Sequence, residues 1–224
     1  MKRLIVSTAF GLLLAGCGGS GILTYNVRFD TTDKVRMTDL TQAAQKVMER
    51  RLARLNGGLM DFDIEYVEAS NTTTITAEVD PAAVAEALNE EMTAPFSMEI
   101  RIGVPEAQEG DITVEGQGIF RATGVAGTDI DWVLAGSDED ALKKGNVIIG
   151  FTDEGVEKMQ KLFKEFDGKP MGIFARGRLA AKIQLDKQKI ERTISIRGLP
   201  SREIADVFAD DMNVGLHMTF ERVK

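Results

Sequence analysis

Residues 40–58 read Leu40-Thr41-Gln42-Ala43-Ala44-Gln45-Lys46-Val47-Met48-Glu49-Arg50-Arg51-Leu52-Ala53-Arg54-Leu55-Asn56-Gly57-Gly58. The apolar residues Leu40, Ala43, Ala44, Val47, Met48, Leu52 and Leu55 recur at three- and four-residue steps, which places them on one stripe of an α-helix. Glu49, Arg50 and Arg54 fall on or near the wet face. The spacing predicts a helix from about Asp39 to Leu55. Asp39 and Gln42 are spaced for a capping box, and Asn56-Gly57-Gly58 is the stop.

Outward from this helix the period changes. Ile22 to Phe29 alternates and is rich in strand formers, and a polar connector, Asp30 to Arg36, follows it. Beyond the helix, Phe62, Ile64 and Tyr66 alternate with Asp61, Asp63 and Glu65. Ile75, Ala77 and Val79 alternate with Thr74, Thr76 and Glu78. Asn71 lies between the two runs, so they read as a hairpin. Asp80-Pro81 reads as a helix start, with Asp as cap and Pro in the first turn. Val84, Ala87, Leu88 and Glu91 or Met92 continue that helix, and Phe96 to Ile102 is a fourth strand. Strand, helix, strand, strand, helix, strand is the order of a ferredoxin-like layer, two helices on one face of an antiparallel sheet.

Gly103 to Gly118 breaks the pattern with Pro105, Gly110 and several acids, and marks a domain boundary. The second half repeats the order with additions. Ile119–Thr123 reads as a strand, a polar excursion runs to Gly145, and Val147–Phe151 is a strand. Thr152 caps a helix bearing Val156, Met159, Leu162, Phe163 and Phe166, and Gly168 closes it. Met171–Phe174 and Leu179–Leu185 form a hairpin around Arg176-Gly177, and Thr193–Ile196 is a further strand. Ser201 caps a last helix, with Ile204, Ala205, Val207, Phe208 and Met212, that ends at Gly215. His217–Val223 closes the second sheet. The fold class expected is α+β: two ferredoxin-like-type subdomains, antiparallel sheets with helices packed on one face.

Composition limits the function. The 224 residues are 43% hydrophobic and 28% charged, with 27 basic and 35 acidic side chains and a net charge of −8. Such a balance repels phosphate backbones, so nucleic acid is not an expected partner. One Cys excludes an internal disulfide or a thiolate zinc cluster, and one His excludes a site of two imidazoles. No Gly-x-Ser-x-Gly elbow, His-Glu-x-x-His or phosphate-binding glycine loop occurs. The expectation is a protein without catalytic residues, cofactor, metal or small-molecule substrate.

The first residues carry an address. Met1-Lys2-Arg3 precedes an apolar run from Leu4 to Leu14, the pattern of a secretory signal and shorter than the roughly 20 residues that span a bilayer as a helix. The run ends Leu14-Ala15-Gly16-Cys17, which resembles a bacterial lipobox: the Cys17 thiol takes a diacylglyceryl group and cleavage follows before it. Loss of residues 1–16 would remove Lys2 and Arg3 and move the net charge from −8 to −10. Several acyl chains on Cys17 would anchor the chain stably on the extracytoplasmic side, in the periplasm or at the cell surface. Gly18-Gly19-Ser20-Gly21 is a tether of at most about 14 Å, so the folded part is expected close to the bilayer.

Most of the mature chain resembles the base and head subdomains of the first large periplasmic domain of SecD, the membrane partner of the protein-export channel. In the first half the resemblance lies in Val47-Met48-Glu49-Arg50-Arg51-Leu52-Ala53-Arg54-Leu55-Asn56-Gly57 and in Ala94-Pro95-Phe96-Ser97-Met98-Glu99-Ile100-Arg101. In the second half it lies in Thr123-Gly124 with Gly127-Thr128-Asp129-Ile130, in Phe151-Thr152-Asp153-Glu154-Gly155 with Gly168-Lys169-Pro170, and in Gly198 to Gly215, ending Met212-Asn213-Val214-Gly215. There are departures. The family's glycine-rich entry is replaced by Tyr25-Asn26-Val27-Arg28-Phe29-Asp30. The head hairpin reads Ala175-Arg176-Gly177 where Leu-Asp-Gly is usual, and Lys182 stands for a common Pro. The proton-coupling membrane helices of SecD have no counterpart here. The N-terminal pattern implies a signal peptide over 1–16 and a lipidated Cys17 with its tether over 17–21, and the resemblance implies a base-like subdomain over 22–103, a linker over 104–118 and a head-like subdomain over 119–224. It implies a non-catalytic, lipid-anchored envelope protein that binds translocated polypeptides or the translocon. The alternative is a structural or interaction lipoprotein that reuses this fold in an unrelated envelope complex.

Other residues invite chemistry. Asp61, Asp63 and Glu65 share a strand face and could bind calcium, though the solvated side of a half-buried strand explains them better. Asp138-Glu139-Asp140 is a similar loop cluster. His217 reads as structural or exposed, and Trp132 as core packing ahead of a surface anchor. Met48, Met159 and Met212 fall on core faces. Asn71-Thr72-Thr73 matches a glycosylation sequon. Arg176-Gly177-Arg178 is a basic tip and a candidate contact point.

Overall fold

The computed structural model describes residues 19–67, 72–138, 141–185 and 192–223. Strand β1 (Gly21–Phe29) buries Leu23, Tyr25 and Val27 and turns Ile22, Asn26 and Arg28 outward, as its alternation requires. Helix α1 (Lys34–Arg54) packs its apolar stripe on that face. It begins inside the expected connector, because the Asp33 carboxylate accepts the Val35 and Arg36 N–H groups at 2.8 and 3.4 Å. The first turn lacks an apolar stripe, and Val35 is 70% exposed, so periodicity could not find it. At the other end Asn56 turns left-handed at φ 57°, and the Gly57 N–H reaches the Leu52 carbonyl at 2.9 Å.

β2 (Gly58–Val67) and β3 (Thr72–Asp80) form the expected hairpin, with Ile64 opposite Ile75 and a bulge between Leu59 and Asp61. The Asp80–Pro81 bond is cis, and a 3₁₀ turn over Ala82–Val84 leads into α2 (Ala85–Thr93). No side chain caps this start, so Asp80 is not the cap expected of it.

The chain then leaves the first layer. β4 (Met98–Val104), expected to close the first sheet, pairs instead with β6 (Gly118–Ala126) and β9 (Pro170–Ala175). The strand beside β1 is the last one, β12 (Met218–Arg222), with Phe220 opposite Val27. The sheet order β12-β1-β3-β2 is ferredoxin-like, with its fourth strand taken from the C-terminus. The base lobe therefore joins residues 21–93 to residues 218–222, and the head lobe is inserted between them. This revises the division into 22–103, 104–118 and 119–224. A two-residue period marks a strand without naming its neighbour, and Met98, Ile100 and Ile102 suit the centre of either sheet.

The stretch 104–118 is part of the head, not a linker. It holds β5 (Ile112–Val114), which pairs with β6, and Asp111, which takes two hydrogen bonds from Arg121 at 2.8 and 3.1 Å. The expected excursion before Gly145 is a hairpin of β7 (Ile130–Asp138) and β8 (Ala141–Phe151), whose glycines and charges dilute its alternation. α3 (Asp153–Glu165) starts at Thr152, whose hydroxyl accepts the Gly155 N–H at 3.1 Å. β9 and β10 (Arg178–Gln184) flank a tight turn in which Arg176 and Gly177 both have positive φ, 50° and 73°. The head comprises a five-stranded sheet, β10-β9-β4-β6-β5, and a three-stranded sheet, β11-β8-β7, where β11 is Thr193–Leu199.

Helix α4 (Arg202–His217) belongs to both lobes. Ala205, Ala209 and Met212 enter the head core, and Val214 enters the base core. Gly215 does not end this helix, which runs to His217; a Cβ there would overlap the Phe96 ring. Met48, Met159 and Met212 are all core residues.

Candidate functional site

The base layer is unevenly covered. On the helix-facing side of β2, Phe62 packs against the core, but Ile64 and Tyr66 on the same face are 46% and 52% exposed. They overhang a groove of about 690 Å³ beside the first turns of α1, lined by Val27, Phe29, Met37 and Thr41 among others. On the opposite face of β2, Asp61, Asp63 and Glu65 stand exposed beside Glu78, Thr76 and Thr74 of β3.

β2 is also the longest open strand edge among the described residues, ten residues paired on one side only. The other edges are shortened or occupied. β5 and β12 have three and five residues, and β10 and β11 carry irregularities. On β7 the Asn213 side chain takes the Val133 N–H at 2.9 Å and donates to the Val133 carbonyl at 2.7 Å, acting as a one-residue strand. β2 carries two devices near its start, the bulge between Leu59 and Asp61 and the Asp61 carboxylate on the Phe62 N–H at 2.9 Å, and runs on from Asp63 to Val67 without another.

A second concavity, about 560 Å³, lies between the lobes. At its side Arg36 of α1 makes a bidentate pair with Asp131 of β7, 2.9 and 3.1 Å, and its guanidinium lies 5.0 Å from the Trp132 ring centre. Trp132 in turn stacks on His217 at 5.2 Å, and His217 Nδ1 is 2.7 Å from an Asp30 carboxylate oxygen. The Arg36 hydrogen bonds hold the Asp131 carboxyl below the usual carboxylate range and raise Arg36. A third hollow, about 400 Å³, exposes part of buried Arg51, whose pKa burial lowers. Its Nη1 donates to the Glu91 carbonyl at 2.7 Å.

The singled-out residues divide as follows. Asp61, Asp63 and Glu65 sit on a solvated strand face, and no metal-holding cluster occurs among the described residues. His217 ends α4, not the last strand, and with Trp132 belongs to the lobe junction. Arg176 is docked: it lies 5.6 Å from the Phe96 ring centre and reaches the Glu91 carbonyl at 3.5 Å. Arg176, Gly177 and Arg178 are all exposed, and Arg178 is the basic residue of the expected tip that is not laid on Phe96. Residues 1–16, Cys17, Asn71, Glu139 and Asp140 lie outside the described residues. Among the described residues no helix is long and apolar enough to cross a membrane.

The motif residues have a structural role. Asp129, 2% exposed, accepts the Ala126 N–H and the Lys158 ammonium at 2.8 Å each. Its carbonyl accepts the Thr152 N–H at 3.0 Å, and Gly155 packs directly on its backbone. Thr123 donates to the Ile100 carbonyl at 2.5 Å. These groups pin α3 to the head sheet. The overhang at Ile64 and Tyr66 and the Arg36–Asp131–Trp132–His217 cluster had no signature in the sequence, since both arise where separate elements meet.

A ferredoxin-like lobe carrying a large inserted α+β lobe defines the architecture. A crystal structure of SecDF in a super-membrane-facing form matches 92% of this chain with a TM-score of 0.50 and 18% identity, over 30% of its own length. A structure described as a membrane component SecDF that enhances protein export matches 90% of this chain and 98% of its own, with a TM-score of 0.48 and 19% identity. SecDF from Thermus thermophilus, described as a translocon-associated membrane protein, matches 92% of this chain and 30% of its own, with a TM-score of 0.49 and 19% identity. The first of these likenesses shows a shared fold, and this chain spans about a third of that SecDF chain. No protein family and no curated protein matches the sequence.

Proposed function

We propose that this protein is a lipid-anchored, SecD-like envelope protein that binds polypeptides emerging from the export channel, or the channel itself, and performs no chemistry. The observation that carries the reading is the open β2 edge beside an apolar groove, on a lobe whose fold and sequence both resemble the periplasmic part of SecD. An extended chain has unpaired N–H and C=O groups and intermittent apolar side chains, and an open edge with an apolar shelf offers partners for both. Binding of this kind biases a chain against sliding back without consuming fuel.

The anchor reading fits the geometry. Gly19 meets the Ala82 N–H at 2.8 Å, at the pole of the base where β1 begins. The groove lies at the opposite pole, near Phe29 and Lys34, roughly 25–30 Å away for a nine-residue strand. An acylated Cys17 would thus hold the first pole at the bilayer and turn the groove away from it.

The test is site-specific photo-crosslinking in cells from a probe at position 64, with wild-type and Cys17→Ala chains. Expected products are unfolded secretory chains or translocon subunits, reduced when Cys17 is replaced. Crosslinks confined to cell-wall or outer-membrane components would refute the export reading. Mass spectrometry showing unmodified Cys17 would refute the anchor.

A further inference from the structure

The reading of an open polypeptide-binding edge leaves unstated which polypeptides it takes. We infer that β2 accepts an extended segment in which basic residues alternate with apolar ones, added as a fifth strand of the base sheet. The inference deepens the proposed function and rests on it.

Three features of β2 converge on that occupant. The first is the open edge itself, ten residues long and paired only with β3. The second is the division of its faces: Ile64 and Tyr66 overhang the groove on the helix side, while Asp61, Asp63 and Glu65 line the solvent side. The third is the surroundings of the acidic row. Its neighbours on β3 are Glu78, Thr76 and Thr74, so no cation of the adjacent strand faces it. The nearest strand cation outward on β1, Arg28, is paired with Glu221 of β12 on the far side of the sheet.

An added strand obeys the same two-residue period as β2. Its residues on the solvent side would stand beside Asp61, Asp63 and Glu65, where cations are attracted and anions repelled. Its alternate residues would point to the helix side and extend the apolar shelf of Ile64 and Tyr66 into the groove. A segment basic on both faces would put charge into the groove, and one apolar on both faces would leave the acids without partners. Alternation is therefore the pattern that satisfies both faces.

The experiment measures binding of eight-residue peptides to the full-length chain in nanodiscs of zwitterionic lipid, with empty nanodiscs as the blank. The probe alternates Lys or Arg with Val or Ile. The comparisons are an alternating Glu/Val peptide, the same basic composition in two blocks, and the probe with alternate amides N-methylated. The alternating basic peptide is expected to bind roughly tenfold more tightly than the acidic or blocked peptides, as three cross-strand charge pairs of a few tenths to one kcal/mol each would give. N-methylation should abolish binding, and added salt should narrow the charge preference. The Asp61→Asn, Asp63→Asn, Glu65→Gln chain should lose the preference but still bind. Ile64→Arg should weaken binding of every alternating peptide. Amide exchange should slow along β2 when the probe binds. Equal affinity for all peptides, or protection that maps to the interlobe cleft, overturns this inference and leaves the polypeptide-binding reading standing. If unfolded peptides bind nowhere on the protein, that reading falls with it.

Discussion

Single residues at the lobe junction are set by contact, and Gly215 is the clearest case. It sits inside α4, two residues before the helix ends, because the Phe96 ring occupies the space a side chain would need. Helix propensity alone favours alanine there by about 1 kcal/mol. We expect Gly215→Ala to lower stability by about 1–3 kcal/mol despite that gain, since the new methyl overlaps the Phe96 ring and the ring must leave its packed position. Denaturant titration reads the loss, and adding Phe96→Leu should recover part of it. An unchanged midpoint for Gly215→Ala would mean the ring moves aside freely. In the sequence this glycine looked like a stop signal. Glycines that end a helix and glycines that admit a neighbour are the same letter.

At the scale of elements, partner choice is the theme. β7 is kept from pairing further by Asn213, whose amide fills both hydrogen-bonding groups of Val133. Asn213 is 6% exposed, so replacing it leaves buried backbone groups without partners. Asn213→Leu should cost about 1–3 kcal/mol, and the Val133 amide should exchange faster in the variant than in the parent chain. Unaltered exchange at Val133 would show that the amide was not the cap. The contrast with β2 matters for function: the β7 edge is closed by a buried side chain, while β2 has only a bulge and a surface carboxylate near its start. The hairpin β2–β3, helix α3 and the turn at Arg176-Gly177 were legible from period and turn chemistry. The sheet to which β4 and β12 belong was not, because a strand of alternating apolar residues fits any sheet with a matching core.

For the whole molecule, two cores share one helix, and surface ion pairs bridge the lobes beside it. Arg36–Asp131 is the best formed of these, bidentate and half-exposed. Its carboxylate is held below the usual range, so its contribution is present at neutral pH and is lost as pH falls through the lowered pKa. Solvent screening limits that contribution to about 0.5 kcal/mol. Asp131→Asn should therefore be slightly less stable than the parent near pH 7, and the difference should vanish only once the pH has fallen below the lowered carboxyl pKa, where both side chains are neutral. Urea midpoints across that range decide it; a difference that grows towards acid would contradict the pairing. Because Arg36 also covers Trp132, the variant is expected to alter indole fluorescence at neutral pH.

Local chemistry in the sequence determined most of the strands, the C-terminal end of α1, the caps at Thr152 and Ser201 and the α+β class, because periods of two and 3.6 residues and capping side chains act within one element. The run Leu14-Ala15-Gly16-Cys17, on which the proposed anchor rests, is likewise a pattern of adjacent residues. Tertiary structure alone decided that the last strand completes the first sheet, that α4 serves two cores, and that β2 is left open with Ile64 and Tyr66 uncovered. Those outcomes depend on which surfaces meet after residues some two hundred positions apart are brought together, and no spacing along a chain encodes which neighbour will be absent.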